Sequence, residues 1–225
     1  PSTMIMCDVI ESPTVHNGSI TSTVCDGCGW GNAAKNAAAT AAKVMQELTE
    51  KAASNDTNLR EIAAMQVSAL LKAHEKIVEG QTVESESGKT TALQITVADG
   101  YLVATSLGDC KLYIIREEDG EGRKRCIDLT DTFEVNRSGS EPGGRLGSYI
   151  IRDDGHFPQL ENLHIIACRI EPGEIIIAST DGLGDILDPA HLAEPPSMYG
   201  LQGGEWNMDD RVHVAKRQQV ANDKL

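Results

Sequence analysis

Three aspartates of this chain each adjoin a glycine at the end of an apolar run. They occur in "VCDG", "SLGD" and "ASTDG" as Asp26, Asp109 and Asp181, and Asp185 follows shortly after the last of them. The end of a strand holds a carboxylate rigidly, and a neighbouring glycine lets a backbone carbonyl approach a bound ion. Mg²⁺ and Mn²⁺ prefer such oxygen ligands. The pattern therefore indicates a site for divalent metal ions.

Other interpretations of these segments stay open at this stage. Asp-Gly is a common turn, so each pair taken alone favours a turn over a metal ligand. Cys25 and Cys28 have the spacing of a redox or zinc pair, although no second CxxC and no βαβ pattern accompany them. Cys25 is expected to be a buried strand residue. Trp30 is expected to pack in the core, with a place at the mouth of the site as the alternative.

The composition of the chain is strongly acidic. Acidic residues outnumber basic ones by 34 to 20, and the net charge is −14. Such a surface repels nucleic acid and anionic membranes, so neither is expected as a partner. No apolar run reaches the ~18 residues that cross a bilayer. The six cysteines are scattered and no secretory pattern is evident, so reduced thiols and a cytoplasmic or nuclear location are expected.

Two helices are predicted early in the chain, over residues 31–54 and 58–78. The first segment is rich in Ala, Lys and Glu, which favour helix. The second repeats apolar residues every three or four positions and so has one mostly apolar face. The intervening "SNDTN" contains capping residues. The two helices are therefore expected to be neighbours.

Strands are predicted after residue 89, where the hydrophobic period changes to two. Residues 90–129 are typical of four strands joined by Asp-Gly or Gly-Asp turns, because Asp-Gly between alternating runs favours a hairpin. The predicted turns are Asp99-Gly100, Gly108-Asp109 and Asp119-Gly120.

The second half of the chain is less regular in pattern. Residues 136–158 are expected to be irregular, whereas alternation returns over residues 163–180. A loop is expected from residue 189, followed by the start of a helix near residue 210. Taken together, these patterns predict antiparallel sheet with helices outside it rather than βαβ repetition. The predicted fold class is therefore α+β.

Four segments occur in the order and at the intervals of a known family. "CDGCGWG", "SGKTTALQI", "LGDCKLYI" and "IIASTDGLGDIL" resemble successive motifs of the PPM-type (type 2C) metal-dependent serine/threonine protein phosphatases. The resemblance spans residues 20–188. It implies a four-layer sandwich of two antiparallel β-sheets flanked by helix pairs, in a single domain over residues 1–225. The last helix pattern breaks off, which indicates either that residues are missing after Leu225 or that this end is modified.

The same resemblance implies a site with two metal ions and a weaker third one. Asp26 would bridge two Mg²⁺ or Mn²⁺ ions, while the Gly27 carbonyl would bind one of them and Asp181 the other. Asp109 and Asp185, with Asp181, would hold the third ion. A metal-bridging water would hydrolyse phosphoserine or phosphothreonine in a phosphoprotein substrate, so Asp26 and Asp181 would carry the catalysis.

The early part of the chain departs from the family pattern. Cys28 stands where many members have a histidine, and a thiol is a poor substitute as a proton donor. No Lys or Arg precedes Lys35, although many members clamp phosphate with an early basic residue. The upstream acidic metal ligand is expected to be Asp8, with Glu11 as the alternative.

The late part of the chain also leaves alternatives. The late acidic metal ligand of the family would have to be Asp209, Asp210 or a residue after Leu225. A substrate-facing flap is expected at residues 138–147, with Arg137 and Arg145 beside or within it. Two functions fit the sequence: a metal-dependent phosphoprotein phosphatase, and a catalytically weak or inactive relative that serves as a binding or regulatory module.

Overall fold

The computed structural model describes residues 5–53, 57–79, 88–117, 122–130, 143–152, 155–207 and 210–225. The chain divides into two compact units. Unit 1 comprises Pro1–Cys110 and Thr130–Pro172, and unit 2 comprises Lys111–Leu129 and Gly173–Leu225. A single domain over residues 1–225 stays a prediction.

The larger sheet described in unit 1 is antiparallel throughout. Its strands, in spatial order, are β1 (Val9–His16), β2 (Ser19–Cys25), β5 (Ala92–Ala98), β6 (Tyr101–Leu107) and β11 (Leu163–Arg169). Asn17-Gly18 and Asp99-Gly100 form two-residue hairpin loops, and all four residues have positive φ, as a type I′ turn requires. The hairpin predicted at Asp99-Gly100 is therefore confirmed.

A second antiparallel sheet in unit 1 joins short strands that are distant in sequence. Its described strands follow the order β10-β9-β4-β3, with the bounds β3 (Gly27–Cys28), β4 (Lys89–Thr90), β9 (Arg145–Arg152) and β10 (Gly155–Gln159). The prediction that residues 136–158 are irregular is wrong for the last two of these strands. Glycine-rich composition favoured a loop, but the extended form is stabilised by pairing with other strands, which composition does not reveal.

The two predicted helices of unit 1 are confirmed as α1 (Asn32–Ala52) and α2 (Leu59–Val78). Asn58 caps α2 and forms a reciprocal capping box with Glu61, so the start of this helix is set by local sequence. The helices pack against each other and against the larger sheet. A core of fully buried side chains lies here, including Cys25, Ala38, Ala41, Met45, Leu70, Ala73 and Leu107.

Polar side chains also fill part of the interface between these helices and the larger sheet. Gln66 of α2 is fully buried; it donates hydrogen bonds to Thr96 Oγ1 and to the Val103 carbonyl, and it accepts one from Thr105. Gln46 of α1 is also buried, and its side chain makes three hydrogen bonds to residues of β1 and β2. Because these buried amides have partners, they do not carry the penalty of unsatisfied polar groups.

Unit 2 contains a three-stranded antiparallel sheet among its described residues. The order is β12 (Ile175–Ser179), β7 (Lys111–Glu117) and β8 (Lys124–Asp128). Two ion pairs join neighbouring strands or their ends, Lys111 with Asp128 and Arg116 with Glu174. The helices are α3 (Asp181–Leu187) and α4 (Arg211–Asp223), with a short 3₁₀ helix at Pro196–Tyr199. The helix predicted near residue 210 is confirmed.

Gly108-Asp109 does not form the predicted hairpin. β6 pairs with β5 and β11, whereas β7 pairs with β8 and β12, so the two strands that flank this turn belong to different sheets. The predicted turn at Asp119-Gly120 lies outside the described residues, although the strands on either side of it, β7 and β8, do pair. Antiparallel sheets with helices in separate stretches confirm the α+β class.

The segment between α3 and α4 is held by side chains rather than by long regular elements. Asp188 forms an ion pair with Arg217 of α4, and Glu194 accepts hydrogen bonds from Tyr199 and Lys224. The loop predicted from residue 189 is thus tied to the last helix. Over the part of the chain that is described, no helix combines the length and apolarity that crossing a membrane requires.

Candidate functional site

Asp26 lies directly after β2, and two threonines fix its backbone. The Asp26 N–H donates to Thr91 Oγ1 at 3.2 Å, and the Thr91 N–H donates to the Asp26 carbonyl at 2.9 Å. Thr90 Oγ1 donates to the same carbonyl at 2.8 Å. With its backbone groups bonded in this way, Asp26 holds its half-buried carboxylate in a defined place at the end of the strand.

Asp109 lies at the matching end of β6, where Gly108 redirects the chain with φ +97°. A Cβ atom at Gly108 would lie 2.6 Å from Thr91 Cγ2 and 2.9 Å from the Gly144 carbonyl oxygen. Thr91 Oγ1 also lies 3.2 Å from Cys110 Sγ, within hydrogen-bond distance. Thr91 therefore touches both turns, and the close approach depends on glycine at position 108.

The structure brings the carboxylates of Asp26 and Asp109 together. Each offers an oxygen atom within 4.8 Å of the other, and both residues are half-buried. Two carboxylates this close repel each other when both are ionised, and a divalent cation between them removes the repulsion. Paired carboxylate oxygens also match the preference of Mg²⁺ and Mn²⁺ for hard ligands. The oxygen donors of this acidic pair fit the predicted Mg²⁺ or Mn²⁺ ions.

Asp8 is at the same end of the larger sheet as Asp26. The β1–β2 ladder ends with the pair Val9 and Cys25, and each aspartate lies one residue beyond that pair. Asp8 is exposed. The alternative, Glu11, lies opposite Thr23 within the ladder. The register thus favours Asp8 over Glu11, and a role for Asp8 as a ligand stays a prediction.

Gly27 has a packing requirement that is independent of metal binding. It is buried in β3, and a Cβ atom there would lie 2.7 Å from the Ala34 carbonyl oxygen and 2.9 Å from Cys7 Cβ. Glycine is therefore needed for α1 to approach β3. The predicted role of the Gly27 carbonyl as a metal ligand stays a prediction.

The cysteines beside Asp26 are free thiols. Cys25 is fully buried, as expected, and its burial raises the pKa of the thiol. Burial, followed by the negative charge of Asp26, raises the pKa of Cys28 to about 11, although Arg145 acts in the opposite direction. A thiol with such a pKa stays protonated near neutral pH and is a weak nucleophile. These properties favour a structural interpretation of the cysteine pair.

Trp30 was expected to pack in the core, and this expectation is wrong. Its side chain is 79% exposed. Gly29 and Gly31, on either side of it, have φ values of +90° and +96°. These left-handed conformations carry the loop between β3 and α1 outward. Trp30 is thus presented to solvent four residues after Asp26.

Asp181 and Asp185 lie one turn apart on α3 in unit 2. Asp181 is the first residue of α3, directly after β12 and the capping residue Thr180. Asp185 is 3.2 Å from His191 Nδ1. Partial burial raises the pKa of Asp185, the charge of His191 opposes that shift, and the nearby Asp181 adds to it. The predicted roles of both aspartates as ligands stay predictions.

Of the two aspartates predicted as the late metal ligand, the structure describes only Asp210. Asp210 is the N-cap of α4, and its carboxylate accepts a hydrogen bond from the Val212 N–H at 2.9 Å. This contact gives Asp210 a role in the helix. Asp209 lies outside the described residues, as do Arg137 and the first five residues of the predicted flap.

Sequence reasoning missed Thr91, the residue that connects the two acidic turns. Thr91 is 1% exposed and lies far from Asp26 and Asp109 along the chain. The sequence feature that could have indicated Thr91 is its place in "SGKTTALQI", directly before a predicted strand. A threonine in that position is ordinary, so only the three-dimensional contacts identify it.

Thr91→Val is expected to weaken both folding and metal binding. The variant keeps the shape of the side chain but leaves the Asp26 N–H without its acceptor, which should cost about 1 to 3 kcal/mol in the free energy of unfolding. The rise in melting temperature on adding Mn²⁺ should also shrink, because the two carboxylates are less well positioned. Denaturant unfolding and thermal shifts measure the two effects.

Thr105→Val is the matched control for that variant. Thr105 is also fully buried, and its hydroxyl donates to Gln66 rather than to a residue of the acidic turns. It should lose stability and keep the full Mn²⁺ shift. An equal loss of the Mn²⁺ shift in both variants would contradict the positioning role of Thr91.

Comparison with known proteins gives a distant relative and a shared fold. No protein-family model matches the chain. The PP2C-like domain-containing protein CG9801 of Drosophila melanogaster is 25% identical over 216 residues, which are 92% of this chain. The chain spans only 28% of the length of that relative.

Two solved structures illustrate the fold. The serine/threonine phosphatase of S. agalactiae matches with a TM-score of 0.58 at 16% identity, over 98% of this chain and 88% of that one. PppA of Pseudomonas aeruginosa, whose structure is described as that of a key regulatory component of T6SS, matches with a TM-score of 0.53 at 12% identity. That match covers 98% of this chain and 94% of PppA. At these identities the likeness shows the fold alone.

Proposed function

We propose that this chain, which has the fold of the PPM-type phosphatases, hydrolyses phosphoserine and phosphothreonine in proteins with the help of Mg²⁺ or Mn²⁺. The observation that supports the proposal most directly is the acidic pair Asp26 and Asp109, which Thr91 connects at one end of the larger sheet. The fold and the similarity to a PP2C-like relative support the same proposal as the motif resemblance does.

The residues proposed to hold the ions all contribute oxygen atoms. They are those of the motif resemblance: Asp8, Asp26, Gly27 through its carbonyl, Asp109, Asp181 and Asp185. When bound, such ions lower the pKa of water toward neutrality and neutralise charge on phosphoryl oxygens. Asp181 follows the end of a strand, as Asp26 and Asp109 do, which supports its place in this set.

The protein side chains have clear tasks in this reaction. Asp26 and Asp109 orient their carboxylates from two strand ends, and Thr91 holds those ends together. The proposal contains no covalent phosphoenzyme, because the Cys28 thiol is protonated near neutral pH and is therefore a weak nucleophile. The reaction is instead a direct attack of water on phosphorus, with release of the serine or threonine hydroxyl.

A second candidate function is a binding or regulatory module with the same fold and weak or absent turnover. The observation that favours it is Asp210, whose carboxylate caps α4. If no other late carboxylate replaces it, the set of metal ligands is smaller than the motif resemblance implies. In that case metal binding at Asp26 and Asp109 would stabilise the domain without hydrolysis.

Phosphate release from a phosphothreonine peptide separates the two functions. With Mn²⁺ present the chain is expected to release phosphate, and an excess of chelator should stop the reaction because the acidic residues then lack their cations. Asp181→Ala should show a large loss of turnover. A chain whose melting temperature rises with Mn²⁺ but which releases no phosphate from serine or threonine peptides would overturn the enzymatic proposal and support the module.

A further inference from the structure

The strands that carry the acidic pair provide little positive charge for a phosphate group. The first 34 residues, which include β1, β2, β3 and Asp26, contain no Lys or Arg. A phosphorylated side chain carries up to two negative charges at neutral pH. A substrate that approaches two carboxylates therefore needs cationic groups besides the metal ions to bind well. In unit 1 such a group must come from a later part of the chain.

Strand β9 brings one arginine close to the turn that carries Asp26. Thr90 of β4 pairs with Gly27 on one side and with Leu146 on the other. β9 is therefore two strands away from β3, which is about 10 Å at the usual strand spacing. Arg145 precedes Leu146 and begins β9. Its position is thus beside Thr91, the residue that bonds to the Asp26 backbone.

The same segment also adjoins the turn that carries Asp109. The Gly144 carbonyl oxygen lies 2.9 Å from the place that a Cβ atom on Gly108 would occupy. Gly144 is buried, and Arg145 follows it directly. The backbone at Gly144 therefore touches the turn that carries Asp109, and Arg145 lies beside Thr91, which bonds to the Asp26 backbone.

The guanidinium of Arg145 is held by its neighbour on β10. Gln159 is the register partner of Arg145, and Arg145 Nε donates a hydrogen bond to Gln159 Oε1 at 2.6 Å. The partner in this bond is a neutral amide, and it fixes the position of the Nε side of the guanidinium group.

We propose that Arg145, held by Gln159, binds the phosphoryl oxygens of the substrate beside Asp26 and Asp109. The planar guanidinium suits this task because it can donate two parallel hydrogen bonds to one phosphate. Arg145 is then the residue that replaces an early basic side chain in this protein. This inference rests on the proposed function, and it assigns the substrate-binding cation within it.

Replacing Arg145 should weaken phosphate binding without affecting metal binding. In Arg145→Ala the KM for a phosphothreonine peptide and the inhibition constant of inorganic phosphate should both rise about 10- to 100-fold, as expected for loss of charge-assisted hydrogen bonds. Arg145→Lys keeps the charge but loses the planar fork, so an intermediate effect is expected. Gln159→Met should resemble Arg145→Lys. The Mn²⁺-induced rise in melting temperature should stay as in the unmodified chain.

Arg169→Ala is the matched control. Arg169 is an exposed arginine of the same unit, and its register partner is Tyr101, at the opposite end of β6 from Asp109. It should leave KM and phosphate inhibition unchanged. If Arg145→Ala behaves like Arg169→Ala, the proposal is wrong. It is also wrong if Arg145→Lys loses the Mn²⁺ shift, because that result would indicate a structural role.

A binding measurement keeps this inference separate from the proposed activity. Inorganic phosphate should raise the melting temperature of the Mn²⁺-loaded chain further, and Arg145→Ala should lose that additional rise. If the chain releases no phosphate from peptides but shows this Arg145-dependent shift, the enzymatic function fails while the phosphate-binding role holds. If Arg145→Ala still shows the additional rise in melting temperature with phosphate, the proposed phosphate-binding role is wrong.

Discussion

Asp26→Asn is expected to abolish nearly all Mn²⁺-dependent phosphate release, with a loss of more than about 100-fold. Groups that only orient metal ligands already contribute 10- to 100-fold, so a residue proposed to contact the ions should contribute more. The amide also removes one of two negative charges that would attract a cation. Steady-state phosphate release, with the rise in melting temperature on adding Mn²⁺, measures the effect, and both should be almost lost.

Stability without metal separates this effect from misfolding. The carboxylates of Asp26 and Asp109 lie within 4.8 Å of each other, so removal of one charge should not lower the melting temperature in the presence of chelator. Asp99→Asn is the matched control, because Asp99 precedes a glycine in a hairpin turn with φ 47° and has no proposed metal role. A parallel loss in Asp99→Asn would mean that the assay reports folding.

Cys28→Ser tests the same site from the neighbouring side chain. The Cys28 thiol has a pKa of about 11 and stays protonated at neutral pH, so the variant should retain most of the activity. If Cys28→Ser were as inactive as Asp26→Asn, the thiol would be essential, and the redox or zinc interpretation of Cys25 and Cys28 would return.

Gly108→Ala is expected to lower the free energy of unfolding by about 2 to 5 kcal/mol. The left-handed conformation at φ +97° costs a side chain roughly 1 to 2 kcal/mol. Contacts of 2.6 Å with Thr91 and 2.9 Å with the Gly144 carbonyl add an overpacking cost of about 1 to 3 kcal/mol. Denaturant unfolding gives the total. The Mn²⁺ shift should fall as well, because Thr91 and Asp109 would be displaced.

Gly173→Ala is the control that measures the loss of stability caused by the left-handed backbone conformation alone. Gly173 has the same φ of +97°, but a Cβ atom there would have no neighbour within 4 Å. It should lose only about 1 to 2 kcal/mol and keep the Mn²⁺ shift. If the two variants lose equal stability, the close packing at Gly108 is not important for the fold.

Several elements of this protein follow from local sequence. The predicted helices at 31–54 and 58–78 agree with α1 and α2 within two residues at each end, because alanine-rich composition and the Asn58 capping box act over one turn of chain. The hairpin at Asp99-Gly100 was predictable for the same reason: two residues with positive φ determine the turn.

Other elements depend on partners that are distant in sequence. β9 and β10 were predicted as irregular because glycine-rich local sequence disfavours strands, yet they pair with each other and β9 pairs with β4. Trp30 is an apolar residue that local pattern places in a core, but its neighbouring glycines carry it outward. In each case long-range pairing or backbone conformation overrides local preference.

The amino-acid sequence indicated which residues are candidates for metal binding, because three carboxylates next to glycine at the ends of apolar runs favour a shared site more than any one Asp-Gly turn does. It also indicated the α+β class and the PPM-type motifs. The three-dimensional structure was needed to bring carboxylate oxygens of Asp26 and Asp109 within 4.8 Å of each other and to connect their turns through Thr91. It was also needed to pair β9, which begins at Arg145, with β4. Each of these contacts joins residues from separate strands or turns. Their proximity depends on strand order and register, which arise from the packing of the whole sheet rather than from any one segment.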